Sequence, residues 1–257
     1  MGHLSTTIDT FHDQTFKAVQ ARDGHRSGVD AILLAAAVPP DAQGNVVDFG
    51  AGSGVAGMAV ANRCSRVSVD LVDNDPVTIG LARMGIDLGA NEHLAKRLRV
   101  IEADVTGNRA DRQETGLVDN FYDIVIANPP FNDKGFRPSP STLKAAAHMM
   151  EEDLLENWMR TAAAVSRPSA RLFMILRPQN LRELLDALAG RYGAITIKPV
   201  HSKANKPATR ILISAQCGSK TPLRILEPFF LHQEDGGFTI EADIIFRGRA
   251  GFDLLSG

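Results

Sequence analysis

The stretch VVDFGAGSGVAG, residues 46–57, runs from a β-branched pair through an acid and an aromatic ring into alternating glycines. Its first half reads as the end of a strand, and its glycines let the backbone turn sharply into a helix whose N-terminus can approach a ligand. Outward from it, short β-branched runs recur at 45–49 (NVVDF), 66–72 (RVSVDLV), 98–103 (LRVIEA), 122–127 (YDIVIA) and 170–176 (ARLFMIL). Helical patterns separate them near 55–63, 76–90, 151–166 and 179–190. Parallel neighbours need a crossover and bury both faces, so this alternation predicts an α/β doubly wound fold on a mainly parallel sheet. Two later runs, AITIKPV (194–200) and TRILISAQC (209–217), are joined only by the polar HSKANKPA. So short a connection makes an antiparallel pair, and the sheet should end in a hairpin. Ahead of the first strand, SGVDAILLAAAV (27–38) reads as an apolar helix with Ser27 or Asp30 near its start. Near the end, TPLRILEPFFL reads as a strand, while GGFTIEADIIF carries no assignable period.

At 257 residues, 44% hydrophobic and 23% charged, the composition is that of an ordinary globular protein, read here as one domain spanning 1–257. Within it, 1–40 is an N-terminal segment, 41–220 the α/β core and 221–257 a C-terminal appendage. No run of about 18 apolar residues occurs, and MGHLSTTIDTFHDQTF lacks the basic and apolar regions of a signal peptide, which predicts a cytoplasmic protein with no membrane partner. Cys64 and Cys217 lack metal-ligand spacing and read as packed thiols, so no metal is expected. The net charge of −2 hides a basic section: residues 187–226 hold seven Lys or Arg and no acid. A polyanion could use it, as could acids from neighbouring elements.

Two ligands compete for the glycine turn. Gly52, Gly54 and Gly57 fit a dinucleotide fingerprint, with Asp73 placed to bind ribose hydroxyls. The alternative counts Asp48 before Gly50, Gly52 and Gly54; a carboxylate there would repel a pyrophosphate but suits a ligand without one. That order resembles motif I of the S-adenosylmethionine-dependent methyltransferases. The resemblance implies S-adenosyl-L-methionine as cofactor, with Asp73 and Asn74 after the second strand, and Asp104 and Val105 after the third, joining Asp48 and the glycines around it.

DIVIANPPFND, residues 123–133, ends the fourth strand in Asn128-Pro129-Pro130-Phe131, facing the same crevice. Proline biases its predecessor away from helical geometry, so the turn is stiff and extended, with carbonyl groups left for a ligand. An exocyclic amine has its lone pair delocalised and is a poor nucleophile. The Asn128 side-chain oxygen and the Pro129 carbonyl can hold both N–H bonds so that the lone pair points at an electrophilic carbon, without a strong base. Phe131 offers a face on which a planar base stacks. The four residues are similar to motif IV of the amino-methyltransferases, whose targets are adenine N6, guanine N2 or a protein glutamine amide.

The segment FHDQTFKAVQARDGHRSGVDAILLAAAVPP, with Arg26, Gly28, Asp30 and AILLAA, is similar to the N-terminal region of the valine-tRNA adenine N6-methyltransferase family. The likeness runs from about residue 11 to the 195–217 hairpin. It implies a Rossmann-like class I fold of seven strands, with the segment around Arg26 and Asp30 closing over the cofactor and Arg26 pairing with its carboxylate. It also implies an enzyme acting on RNA, with tRNA first. Lys134, Arg137 and Lys144 after Phe131, and Lys203 and Lys206 in the hairpin turn, are the candidate phosphate contacts while the base is flipped into the pocket. A guanine-N2 rRNA methylase, a protein-glutamine methylase, a small-molecule O-methyltransferase and a non-catalytic nucleotide- or RNA-binding module are the alternatives. A homodimer could supply the RNA contacts that a separate domain would otherwise make.

Overall fold

The computed structural model describes residues 5–22, 28–130 and 154–255. The chain opens with an antiparallel hairpin, β1 (Thr6–Phe11) and β2 (Phe16–Ala21), which the sequence reading did not foresee. Helix α1 (Val29–Ala37) follows, with Gly28 at its N-cap, and Ala31 to Ala37 are all buried. Next come β3 (Gln43–Phe49), α2 (Val55–Arg63), β4 (Arg66–Asp73), α3 (Pro76–Ile86), the short α4 (Glu92–Ala95), β5 (Leu98–Glu102), α5 (Arg109–Glu114) and β6 (Tyr122–Ala127). The second half holds α6 (Leu154–Val165), β7 (Ser166–Leu176), α7 (Leu181–Leu188), the long hairpin β8 (Tyr192–His201) and β9 (Ala208–Cys217), two-residue strands β10 (Arg224–Ile225) and β11 (Phe229–Phe230), and α8 (Ile240–Phe246).

Apart from the two-stranded β1–β2 sheet, the described strands form one sheet in the order β10-β8-β9-β7-β6-β3-β4-β5, with β11 also on β8. From β3 through β7 the neighbours are parallel, and β9 pairs antiparallel with both β7 and β8. The seven expected strands are therefore present in a doubly wound order, and the tail adds two more along β8. The order reverses between β3 and β6, so a crevice opens at their carboxyl ends. The expected strand at TPLRILEPFFL is broken into two pieces, with Pro228, which has no N–H to give a ladder, just before the second. GGFTIEADIIF contains α8, capped by the Thr239 hydroxyl, which accepts from the Ala242 N–H at 3.1 Å.

One core lies between the sheet and α1 and α2, and the other between the sheet and α6 and α7. The first is closed at its outer end by the tail: Phe229, Leu231, Ala242, Ile245, Phe252 and Leu254 are all buried in it. Phe252 sets its ring edge-on to Phe229 at 4.9 Å, and its N–H donates to the Ala36 carbonyl at 2.8 Å. Cys64 is buried and Cys217 half-buried, both as free thiols. No helix among the described residues is long and apolar enough to cross a membrane.

Because the tail shares the core, its ring should count towards the stability of the whole domain. Phe252→Ala is expected to cost about 3 kcal/mol, read as a lower urea midpoint with an unchanged slope. A loss well under 1 kcal/mol would show instead that the tail lies outside the cooperative unit.

Candidate active site

The turn after β3 is built on backbone geometry that only glycine adopts without strain. Gly50, Gly52 and Gly54 have φ of +63°, +57° and +82°. At Gly50 a Cβ would lie 2.7 Å from the Trp158 ring, and at Gly54 it would lie 2.7 Å from Leu71 Cδ1. Only at Gly52 would it meet nothing within 4 Å, so this glycine is the one that faces open space. Helix α2 then starts at Val55 after Gly54, an N-cap with no side chain to offer; in its first turn the Gly57 N–H is taken by Asp48, and the end still attracts negative charge. Gly57 serves packing: a Cβ there would sit 2.2 Å from Leu71 Cδ2.

Three acids surround this turn, each fixed differently. Asp48, expected among the cofactor ligands, is turned into α2: it is 2% exposed, and its Oδ2 accepts from the Gly57 N–H at 2.9 Å. Burial pushes its carboxyl up to about 7; the Gly57 N–H opposes this and the nearby Asp73 charge adds to it. Asp73 is the tie of the site. Its Oδ2 accepts from the Gly52 N–H at 2.8 Å and its Oδ1 from the Asp75 N–H at 2.9 Å, so one carboxylate holds the glycine turn and the start of α3 together. Asp104 accepts on Oδ1 from both the N–H and the hydroxyl of Thr106, and its Oδ2 has no partner among the described residues. Asn74 is exposed beside Asp73, and Val105 is buried beside Asp104.

Asn128 leaves β6 where the sheet order reverses, after Ala127, which is paired with Phe49 on one side and Met174 on the other. Its side chain is half-buried, with no hydrogen-bond partner among the described residues; Pro129 is buried and Pro130 exposed. Phe131, Lys134, Arg137 and Lys144 lie outside the described residues, as does Arg26. Because β9 runs against β7, the β8–β9 turn comes up at the same carboxyl edge as Asn128. Lys206 is exposed in that turn, and the Lys203 ammonium donates to the Glu234 carbonyl at 2.8 Å. Asp30 forms an ion pair with Arg210 at 2.8 Å, tying the start of α1 to the start of β9.

Two supports escaped the sequence reading. Trp158 forms the wall against Gly50 and meets Phe49 edge-on at 6.2 Å; its only signal was its place on the apolar stripe Leu155, Trp158, Met159, Ala162. Arg210 counted only as one basic residue among seven, because its partner lies 180 positions away. The arrangement gathers acceptors at three strand ends, open helix N–H groups, and a stiff amide–proline edge. That set suits a zwitterionic ligand with hydroxyl groups, and the half-buried Asp73, the exposed Asp104 and the uncovered Gly52 fit the cofactor that the resemblance implies.

Comparison with known proteins bears on the same residues. The family model described as methyltransferase small domain matches residues 26–153. The crystal structure of a predicted O-methyltransferase from Agrobacterium tumefaciens superposes with a TM-score of 0.75 and 33% identity, covering 87% of this chain and 98% of the other. A tRNA1(Val) (adenine(37)-N6)-methyltransferase of Pedobacter heparinus is 25% identical over 80% of this chain and 83% of its own length. The protein of that name from Tolumonas auensis is 29% identical over 74% and 72%.

The buried Asp48 has a measurable signature. The unfolded chain ionises it near the ordinary value and the folded chain near 7, so the folded state holds the proton longer and stability falls as pH rises between those values. Asp48→Asn keeps an acceptor for the Gly57 N–H without the charge. Its denaturation midpoint relative to the unmutated protein should therefore improve from about pH 5 to about pH 8. A difference that does not change with pH would contradict the burial of the carboxylate.

Proposed function

The chain belongs to the methyltransferase small-domain family of S-adenosylmethionine-dependent enzymes, and on that premise we propose that it methylates an exocyclic amine of an RNA base, adenine N6 in tRNA. The observation that carries the reading is Asn128-Pro129-Pro130 at the end of β6, in the crevice that the glycine turn also lines. The name shared by the Pedobacter and Tolumonas relatives supplies the choice of tRNA and adenine.

S-adenosylmethionine supplies an electrophilic methyl group and a positive charge. The chain's part is to hold and orient. Asp73 takes the ribose hydroxyls, since each of its oxygens carries one backbone bond and keeps a second lone pair. The uncommitted oxygen of Asp104 accepts from the adenine amino group, with Asn74 and Val105 beside it. The open N–H groups at the start of α2 and Arg26 meet the carboxylate, and Asp30 keeps the start of α1 in place through Arg210. Asp48 acts at one remove, by fixing the first turn of α2.

On the substrate side, the Asn128 amide oxygen and the Pro129 carbonyl accept the two N–H bonds of the target amine, while Phe131 stacks on the base. Positive charge developing on nitrogen is stabilised by these two dipoles, and the proton leaves to water afterwards. Lys203 and Lys206, in the turn at the carboxyl edge of the sheet, take the backbone phosphates together with Lys134, Arg137 and Lys144. Residues 41–220 carry the chemistry, 1–40 cover the cofactor side, and 221–257 close the core beneath the hairpin.

The Agrobacterium relative is a predicted O-methyltransferase, which makes O-methylation the second reading. Against it, an amide oxygen cannot take the proton that a hydroxyl nucleophile must lose, whereas it suits an amine with two N–H bonds to hold.

Calorimetry with S-adenosylhomocysteine should give micromolar binding to the unmutated protein and to Asn128→Ala alike. Transfer to unmodified tRNA should fall roughly 100-fold or more in the variant. An active Asn128→Ala enzyme, or a protein with no affinity for S-adenosylhomocysteine, rules the reading out.

A further inference from the structure

We infer that the opposite, amino-terminal edge of the sheet carries a second RNA contact: a cavity that takes a backbone phosphate through Lys96, Arg97 and Arg99. The inference rests on the reading of the chain as an RNA methylase. The cavity has a volume of about 250 Å³ and opens between the first residues of β3, β4 and β5, floored by Ser68 and Asp70 and walled by the three basic side chains and Phe121.

Its charge is set by what is already paired. Asp70 is paired: Arg99 Nε and Nη2 donate to its two oxygens at 2.9 and 2.6 Å, and the Tyr122 hydroxyl donates at 2.6 Å. Asp123, which accepts from the N–H of Asn45 on the cavity wall, is held by Arg167 at 2.8 Å. With those carboxylates neutralised, Lys96 and Arg97 leave an excess of two positive charges. Arg97 is pinned through Nη1 to the Cys64 and Val67 carbonyls at 3.1 and 3.2 Å, and Arg99 is pinned by Asp70, so two guanidiniums pay little further entropy to bind. The Lys96 ammonium and the Ser68 hydroxyl have no partner among the described residues, and both can donate. Preorganised donors around a small opening select a tetrahedral oxyanion.

Size and place choose the source of that phosphate. At about 250 Å³ the cavity lies below the roughly 300–1,000 Å³ of small-molecule sites and has room for a phosphate group. Ser68 lies five residues before Asp73 on β4, about 17 Å from the catalytic edge at 3.3–3.4 Å per residue. An RNA helix that delivers a base to the crevice and runs down the outer strand β5 passes its backbone over Lys96.

The test is Lys96→Glu, an exposed site at the end of α4 with no bond to lose, with Lys96→Arg as control. Binding of unmodified tRNA should weaken roughly threefold to tenfold at 0.1 M salt, and the slope of log affinity on log salt should shrink by about one. Affinity for S-adenosylhomocysteine should not change, and Lys96→Arg should behave as the unmutated protein. If the unmutated protein methylates tRNA and Lys96→Glu binds it equally well, the second contact is overturned while the enzyme reading stands; if the unmutated protein binds no RNA, both fall. Inorganic phosphate in calorimetry separates the sources: heat that Lys96→Glu abolishes, with RNA affinity unchanged, assigns the cavity to a free anion and overturns the RNA contact.

Discussion

Everything at the crevice hangs from the carboxylate of Asp73. One side chain at the end of β4 accepts from the Gly52 N–H in the glycine turn and from the Asp75 N–H at the start of α3, so two separate connections are tied to one carboxylate by charge-assisted hydrogen bonds. Gly52 reaches that bond only with a positive φ, and Gly50 and Gly54 let Trp158 and Leu71 close in behind it. The floor of the site is thus rigid before any ligand arrives, and rigidity is what positioning chemistry needs.

The opposite wall follows the same logic with different means. The backbone at Asn128 is held by the strand pairings of Ala127 on both sides and restrained by two prolines after it, and its amide, with no partner among the described residues, is left for a ligand. The antiparallel hairpin brings basic residues to the same edge, and the tail that packs along β8 and under α1 keeps that hairpin from being a loose wing. Floor, wall and basic turn therefore come from three stretches of chain that the sheet brings to one edge.

The strands were legible because their signal is local. NVVDF, RVSVDLV and YDIVIA fall within two residues of β3, β4 and β6, and the carboxyl-edge placement of Asp73, Asp104 and Asn128 follows from strand ends alone. What could not be read depends on distant partners. The β1–β2 hairpin turns through His12, Asp13 and Gln14, all at positive φ, and Asp13 is held by Arg247 and Arg249 from the far end of the chain. Helix α8 is seven residues long, with a Thr cap as its main mark. The sequence placed Asp48 beside the glycines but could not tell that burial would turn it into α2. Nor could it show that Asp30 faces Arg210, since nothing in either neighbourhood names the other.

On this reading the carboxyl edge of the sheet presents an amine of an RNA base to an activated methyl group. The direct measurement is mass spectrometry of nucleosides from unmodified tRNA incubated with the protein and S-adenosylmethionine bearing a deuterated methyl. The label should appear in N6-methyladenosine; label confined to a ribose or another hydroxyl, or none in the RNA, would show that no base amine is the target.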